Sequence, residues 1–149
     1  MTKLKGLGGF DGITHVLPIS VYYEDTDLSG VVYHANYLRY MERGRTEFFR
    51  FLGVARAALD INEPSAWALT NIAVQYRRPA RLDDQLVVRS TLTGLSGARL
   101  NVWHQVMCGD VLLVEGRVEA CMITLKGRPL RIPQKIAQTL APFVAAAET

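Results

Sequence analysis

The sequence is short of several things, and each shortage closes off a class of protein. Cysteine occurs twice, at Cys108 and Cys121. Both lie in apolar, strand-like runs, so they read as buried reduced thiols rather than as a disulfide framework. No Cys or His pair has the close spacing of a zinc site, and no metal is expected. No apolar run approaches the ~20 residues that a membrane-spanning helix requires. Basic residues are scattered, with no block of five or six and no nucleic-acid-binding motif. The first residues, MTKLKGLGGFDGITH, carry two lysines but no apolar core after them, so they do not read as a secretory signal. The expected compartment is the reducing cytoplasm.

What remains is an ordinary globular composition. The chain has 149 residues, 49% of them apolar and 21% charged. That length suits one domain able to bury roughly 70% of its unfolded surface. A net charge of +3 without a basic block fits a phosphate-bearing small molecule better than a polyanion. Four glycines between Gly6 and Gly12 suggest a flexible leader over residues 1–14, followed by a single domain over 15–149.

Periodicity supplies the elements. Residues 16–24 read as a strand, with Val21 and Tyr23 on one side and Tyr22 on the other. From about Tyr33 to Leu52 the pattern turns helical: Tyr37, Leu38, Tyr40, Met41, Phe48, Phe49 and Leu52 recur at spacings of three and four. Gly53 is a plausible stop. Gly44 inside the helix costs about 1 kcal/mol relative to Ala, and can permit close approach of a strand. Residues 54–60 suggest a short second helix, broken by Asn62, Glu63 and Pro64. Four strands follow, over 67–77, 85–93, 99–108 and 111–125. Ser96-Gly97 and Gly109-Asp110 are hairpin signals between them. A short helix is expected after Pro133. The class is α+β, with one long helix and about five strands, mainly antiparallel.

The stretch YEDTDLSGVVYHANYLRYMERGR, from Tyr23 to Arg45, carries the chemistry. Glu24, Asp25 and Asp27 crowd the end of the first strand. Gly30 turns the chain, and the long helix opens near Tyr33 and His34. A carboxylate therefore stands beside a helix amino end, whose free N–H groups carry partial positive charge and can hold an oxyanion. That layout suits acyl transfer or hydrolysis.

The whole stretch resembles the signature of the 4-hydroxybenzoyl-CoA thioesterases, a branch of the hotdog-fold thioesterases. Within that branch it is most similar to acyl-CoA thioesterases associated with the bacterial Tol-Pal system. The matching residues are Thr26, Asp27, Gly30, Val31, Val32, His34 and Tyr37. The match continues through Glu42, Arg43, Arg45, Tyr76, Pro79, Ala80, Leu82 and Asp83. Ser20 and Gly44 depart from it, where relatives usually carry Arg or Gln and Ala. The resemblance implies a curved sheet wrapped round the long central helix. It also implies a homodimer or homotetramer in which sheets join edge to edge, with the active site at the dimer interface. The implied reaction is hydrolysis of a fatty or aromatic acyl-CoA. No separate cofactor is needed, because the coenzyme A moiety belongs to the substrate.

On this reading Asp27 is the essential carboxylate, attacking the thioester carbonyl or activating water. The plainer alternative is that it caps a turn or the helix. His34 could supply a backbone N–H to the thioester oxygen, or an imidazole that orients Asp27 or moves a proton. Tyr23 could hydrogen-bond near the substrate, or simply pack. Asp25 and Glu24 read as solvated or structural, Asn36 as a loop support, and His15 and His104 as structural. Arg77, Arg78, Arg81 and Arg128 are the leading candidates for the coenzyme A phosphates, with Arg131, Lys126 and Lys135 behind them. Each could equally be a solubilising charge. Two rivals stand beside hydrolysis. One is a non-catalytic module that binds acyl thioesters or an acyl carrier protein. The other is a hydratase, which needs an acid–base pair aimed at carbons rather than at a carbonyl.

Overall fold

The computed structural model describes residues 7–54 and 64–146. The elements in chain order are β1 (Gly9–Asp11), β2 (Thr14–Ser20), α1 (Asn36–Phe51), β3 (Ser65–Tyr76), β4 (Gln85–Ser96), β5 (Arg99–Cys108), β6 (Val111–Thr124) and α2 (Gln134–Leu140). The six strands form one sheet in the order β1-β2-β4-β5-β6-β3, and every neighbouring pair is antiparallel. The expected count of about five is corrected to six. Among the described residues, no helix is long and apolar enough to cross a membrane.

The additional strand is β1, inside the stretch read as a flexible leader. Residues 9–11 pair with residues 14–16 of β2. Phe10 anchors them, with its ring 5.0 Å from Phe48 and 4.8 Å from Phe143. The buried Glu47 also receives the Leu7 N–H at 2.6 Å. Glycine-rich composition suggested freedom, but one aromatic side chain and one buried carboxylate dock the segment.

α1 lays its apolar face against the sheet. Tyr40, Met41 and Phe48 are almost wholly buried, and each such side chain stabilises the fold by about 1.5–3 kcal/mol. At Gly44 the helix comes so close to β4 that an added Cβ would stand 2.7 Å from Ser90 Oγ and 3.0 Å from Val88 Cγ1. The close approach expected of this glycine is therefore present. α1 begins at Asn36 rather than Tyr33, and the first long strand stops at Ser20 rather than residue 24. Residues Tyr23–Asp25 form a 3-10 turn instead. Of the short second helix expected over 54–60, only Val54 lies within the described residues.

β5 alternates, with Leu100, Val102, His104 and Val106 all buried. Near the start of β6 Leu113 and Val114 are both buried, whereas Leu112 is only partly so. Val106 pairs with Val114 but Met107 pairs with Leu112, and this irregularity shifts the face by one residue. β3 forms one edge of the sheet. Its residues Leu69, Ile72 and Tyr76 are all exposed, the first by 53% and the last by 50%. An open edge with apolar side chains on it is a surface that proteins normally cover.

Candidate active site

Asp27 opens a tight excursion over residues 27–31. Its N–H donates to the Val31 carbonyl at 2.9 Å, and the Gly30 N–H donates to the Asp27 carbonyl at 3.0 Å. Gly30 adopts a φ of 81°, in the left-handed region that glycine enters without steric cost. A bridge between Thr26 and Val32 closes the base. The carboxylate itself stands at the surface. Its Oδ1 accepts the Ser29 N–H at 2.8 Å and also the Ser29 hydroxyl. The hydroxyl bond, followed by the backbone bond, holds the Asp27 pKa below the ordinary carboxylate value, and the charge of His34 acts in the same direction. Asp27 is thus kept ionised.

His34 occupies the returning arm, two residues before α1. That arm is fixed by Val32 N–H donating to the Ala80 carbonyl at 2.8 Å and Tyr33 N–H donating to the Asp25 carbonyl at 2.9 Å. Asn36 N–H is taken by the Tyr33 carbonyl at 2.8 Å. The N–H groups of His34 and Ala35 donate to no atom among the described residues. The helix start therefore offers the His34 and Ala35 N–H groups as free donors beside an ionised carboxylate loop.

A cavity of about 300 Å³ opens next to this arm. Its wall includes His34, Tyr37, Tyr76, Arg77, Arg78 and Pro79. Both Arg77 and Arg78 N–H groups donate to the Leu113 carbonyl, at 2.8 and 3.0 Å, which ends β3 and turns the chain towards Ala80. Tyr76 reaches back from the strand end, and its hydroxyl donates to the His34 carbonyl at 2.9 Å. Its ring lies 6.4 Å from that of His34. Tyr37 accepts the Ala80 N–H at 2.9 Å. The sequence pattern marks Tyr37 as a helix-face residue, and both Tyr37 and Tyr76 as matching residues, without assigning either to the site. Ser29 did not enter that reading at all, and a short polar side chain two residues after an aspartate was its only signal.

The remaining expected site residues separate. Tyr23 does not lie on a strand end beside Asp27. It sits in the 3-10 turn with its side chain 82% exposed, and it makes no side-chain hydrogen bond to Asp27 or His34 among the described residues. The turn rather than an extended strand points it into solvent. Arg77 and Arg78 line the cavity, with Arg77 also bonded to Glu115 at 3.2 Å. Arg81 pairs through its backbone with Val31, and its guanidinium makes no ion pair among the described residues. Arg128 lies elsewhere, with Lys126, Thr124 and Pro64, in a second cavity of about 390 Å³. Ser65 pairs with Thr124 and Tyr76 with Val114, so the two cavities flank opposite ends of β3. That is roughly 36 Å of strand. Asn36 supports the loop as expected, donating from Nδ2 to Asp25 Oδ1 at 2.6 Å. His15 and His104 are buried in the core. Among the described residues, no group of three or more His, Cys, Asp or Glu side chains is placed to hold a metal.

A surface carboxylate held ionised, free N–H donors at a helix start, and a cavity walled by arginines and aromatic rings suit an electrophilic carbonyl on an anionic carrier. Comparison with known proteins bears on the same region. A profile described as the thioesterase-like superfamily matches residues 21–140. The acyl-CoA thioester hydrolase YbgC of Escherichia coli is 39% identical over 121 residues, covering 80% of this chain and 90% of that protein. The chloroplastic acyl-acyl carrier protein thioesterase ATL3 of Arabidopsis thaliana is 29% identical over 147 residues, covering 94% of this chain and 72% of that one. The crystal structure of a probable thioesterase from Bartonella henselae superposes with a TM-score of 0.77 at 36% identity, covering 80% of this chain and 99% of that one. The excursion at Asp27, the arm at His34 and the β3 edge all fall within the matched span, and the chain belongs to the thioesterase-like superfamily of hotdog proteins.

Proposed function

We propose that this protein is an acyl-CoA thioester hydrolase, releasing a free fatty or aromatic acid and coenzyme A. The observation that carries the reading is the ionised Asp27 loop beside the free N–H groups of His34 and Ala35. The thioester oxygen is held by those donors, which stabilise the charge that develops on it. Asp27 removes a proton from the attacking water, or adds to the carbonyl itself to give an anhydride that water then opens. The C–S bond breaks and the thiolate leaves, taking up a proton. His34 either orients Asp27 or passes that proton. Tyr76 and Tyr37 shape the wall against which the thioester lies, and Arg77, Arg78 and Arg81 meet the phosphates. Tyr23, exposed at the root of the excursion, is kept as a hydrogen-bonding group for the substrate.

The sheet is read as wrapping round α1, with β3 as the edge that a second copy covers. An antiparallel pairing of the two β3 edges about Thr70 and Asn71 would carry one protomer's Lys126–Arg128 loop towards the other protomer's His34 cavity. Arg128 would then serve the carrier phosphates in spite of its distance within one chain. The same pairing would cover Leu69 and Ile72. The domain, expected to begin at residue 15, is taken to include the docked arm from Leu7. The cytoplasm remains the proposed compartment, where the free thiols of Cys108 and Cys121 would persist.

A second reading keeps the chemistry and changes the carrier. The likeness to ATL3, which spans nearly the whole chain, favours an acyl carrier protein as an alternative thiol donor. A hydrolysis screen tests both, using short, long and aromatic acyl-CoAs beside the matching acyl carrier protein thioesters. Turnover of the CoA series at the higher kcat/KM supports the first reading. Preference for carrier-protein thioesters supports the second. Tight binding of both without hydrolysis would return the protein to the class of non-catalytic modules.

A further inference from the structure

Asp25 is 4% exposed, although it sits only two residues before a carboxylate that stands in solvent. A buried carboxylate is costly unless its oxygens are satisfied. Asp25 Oδ2 accepts the Tyr22 N–H at 2.8 Å. Its Oδ1 accepts Asn36 Nδ2 at 2.6 Å. Its own carbonyl accepts the Tyr33 N–H at 2.9 Å. These three partners belong to three different segments: the end of the first arm, the first residue of α1, and the residue before His34. The Tyr40 hydroxyl, buried from the helix side, faces the same carboxylate without a well-formed hydrogen bond. Burial, and then the charge of Asp25, hold that hydroxyl protonated.

The excursion bearing Asp27 is therefore clamped at its root. The bonds from Asn36 and Tyr33 join the segment before Asp27 to the segment carrying His34 and the helix start, and the bond from Tyr22 ties Asp25 to the end of the first arm. The excursion's own hydrogen bonds run among residues 27–31, and a backbone bridge ties Val31 to Arg81, so they fix its shape and its contact with the segment after β3 but do not reach the helix.

We propose that Asp25 is a positioning residue, which sets the placement of the Asp27 carboxylate relative to the free N–H groups at the start of α1 by joining Tyr22 to Asn36. The inference rests on the hydrolase reading of the same site. Asp25 touches no substrate. Its effect falls on geometry, where a displacement near 1 Å costs on the order of 10²-fold in rate.

The test exchanges the pair. Asp25→Asn keeps an oxygen for the Tyr22 N–H but sets an amide nitrogen against Asn36 Nδ2. Asn36→Asp sets two carboxylates together. The double exchange, Asp25→Asn with Asn36→Asp, restores one donor and one acceptor, and it places the charge at a helix amino end, where it is favourable. With circular dichroism matched to wild type, each single variant should lose at least about tenfold in kcat with KM within about threefold. The double exchange should recover to within about fivefold of wild type. Single variants within threefold of wild-type kcat would overturn the proposal, as would a double exchange no better than the worse single. If Asp25→Asn does not fold, Asn36→Ala replaces it, with the same expected loss and the same overturning result. Amide hydrogen exchange separates this proposal from the hydrolase reading. Exchange at Ser29, Gly30 and Tyr33 should rise in the single variants and fall back in the exchanged pair, whatever the wild-type turnover. Unchanged protection overturns the positioning role, whereas wild-type inactivity on every thioester overturns the hydrolase reading.

Discussion

Lowering the pH should weaken the fold through His104. This residue is wholly buried on β5 beneath Arg45 of α1. Its Nε2 accepts from Arg45 Nη1 at 3.0 Å, and its Nδ1 meets Ser90 Oγ at 2.8 Å. Arginine has no acceptor to offer, so Nε2 must be bare and the proton must sit on Nδ1. A second proton would break the arginine bond and set two cations together in the core. Burial first, and then the charge of Arg45, hold the His104 pKa well below the usual 6.5. The unfolded chain, by contrast, takes up a proton as the pH falls through that value. Because the unfolded state binds more protons there, stability is fully present above about pH 6.5 and is lost as the pH falls below it. One such group removes about 1.4 kcal/mol between about pH 7.5 and about pH 5.5. For a chain of this size that lowers Tm by roughly 3–5 °C. The perturbation is His104→Gln, whose amide oxygen can accept from Arg45 but does not titrate. His15, whose pKa burial also lowers, adds a slope of the same sign in both proteins, so the difference between them isolates His104. The assay is urea unfolding at both pH values and one fixed protein concentration, because association would shift the midpoint. Equal pH slopes in the two proteins would refute the reasoning, since the native state would then take up the proton as readily as the unfolded chain.

Three further outcomes follow from the site and the sheet edge. Ser29→Ala removes the hydroxyl that does most to hold the Asp27 pKa down, so the acid limb of kcat/KM should move to higher pH. An unmoved limb would dissociate Asp27 from that limb. His34→Ala keeps the backbone donor, and kcat/KM should still fall by about 10²-fold if the imidazole orients Asp27 or moves a proton. A loss below roughly threefold, less than 1 kcal/mol, would leave only the backbone role. At the β3 edge, the wild-type protein should sediment at low micromolar concentration with no major monomer, whereas Ile72→Asp should yield monomer with little activity. A fully active wild-type monomer would sink the edge-pairing and shared-site reading together.

The parts of the fold legible in the sequence were those where one period ran uninterrupted. In β5, Leu100, Val102, His104 and Val106 alternate without a break, and both ends of the strand fall where the pattern placed them. β6 shows how one inserted residue defeats the same rule. Leu112 and Leu113 are equally apolar, and only the pairing with Met107 decides which faces inward. The early overshoot to residue 24 has a different cause. Val21, Tyr22 and Tyr23 look strand-like, but Asp25 folds back to take the Tyr22 N–H and bends the chain into a turn. That side-chain bond to a backbone three residues away leaves no mark on the periodicity, and the turn it makes leaves Tyr23 exposed in the single chain. The order of Asp27, Gly30 and His34 was legible because turn chemistry and helix start are both local signals. The division of the arginines was not. Arg77 and Arg128 are separated by the length of β3, a distance set by strand pairing rather than by anything in their own neighbourhoods.

The central claim is that the Asp27 carboxylate carries the hydrolysis. Its most direct test is single-turnover hydrolysis of the best acyl-CoA from the screen by wild type and by Asp27→Asn, with circular dichroism and sedimentation matched. Asn keeps an oxygen for the Ser29 N–H, so the excursion should survive. The variant should fold, associate as wild type does and still bind substrate, with its rate lower by at least about 10³-fold. A rate near that of wild type would contradict the claim and return Asp27 to the role of a turn-capping residue.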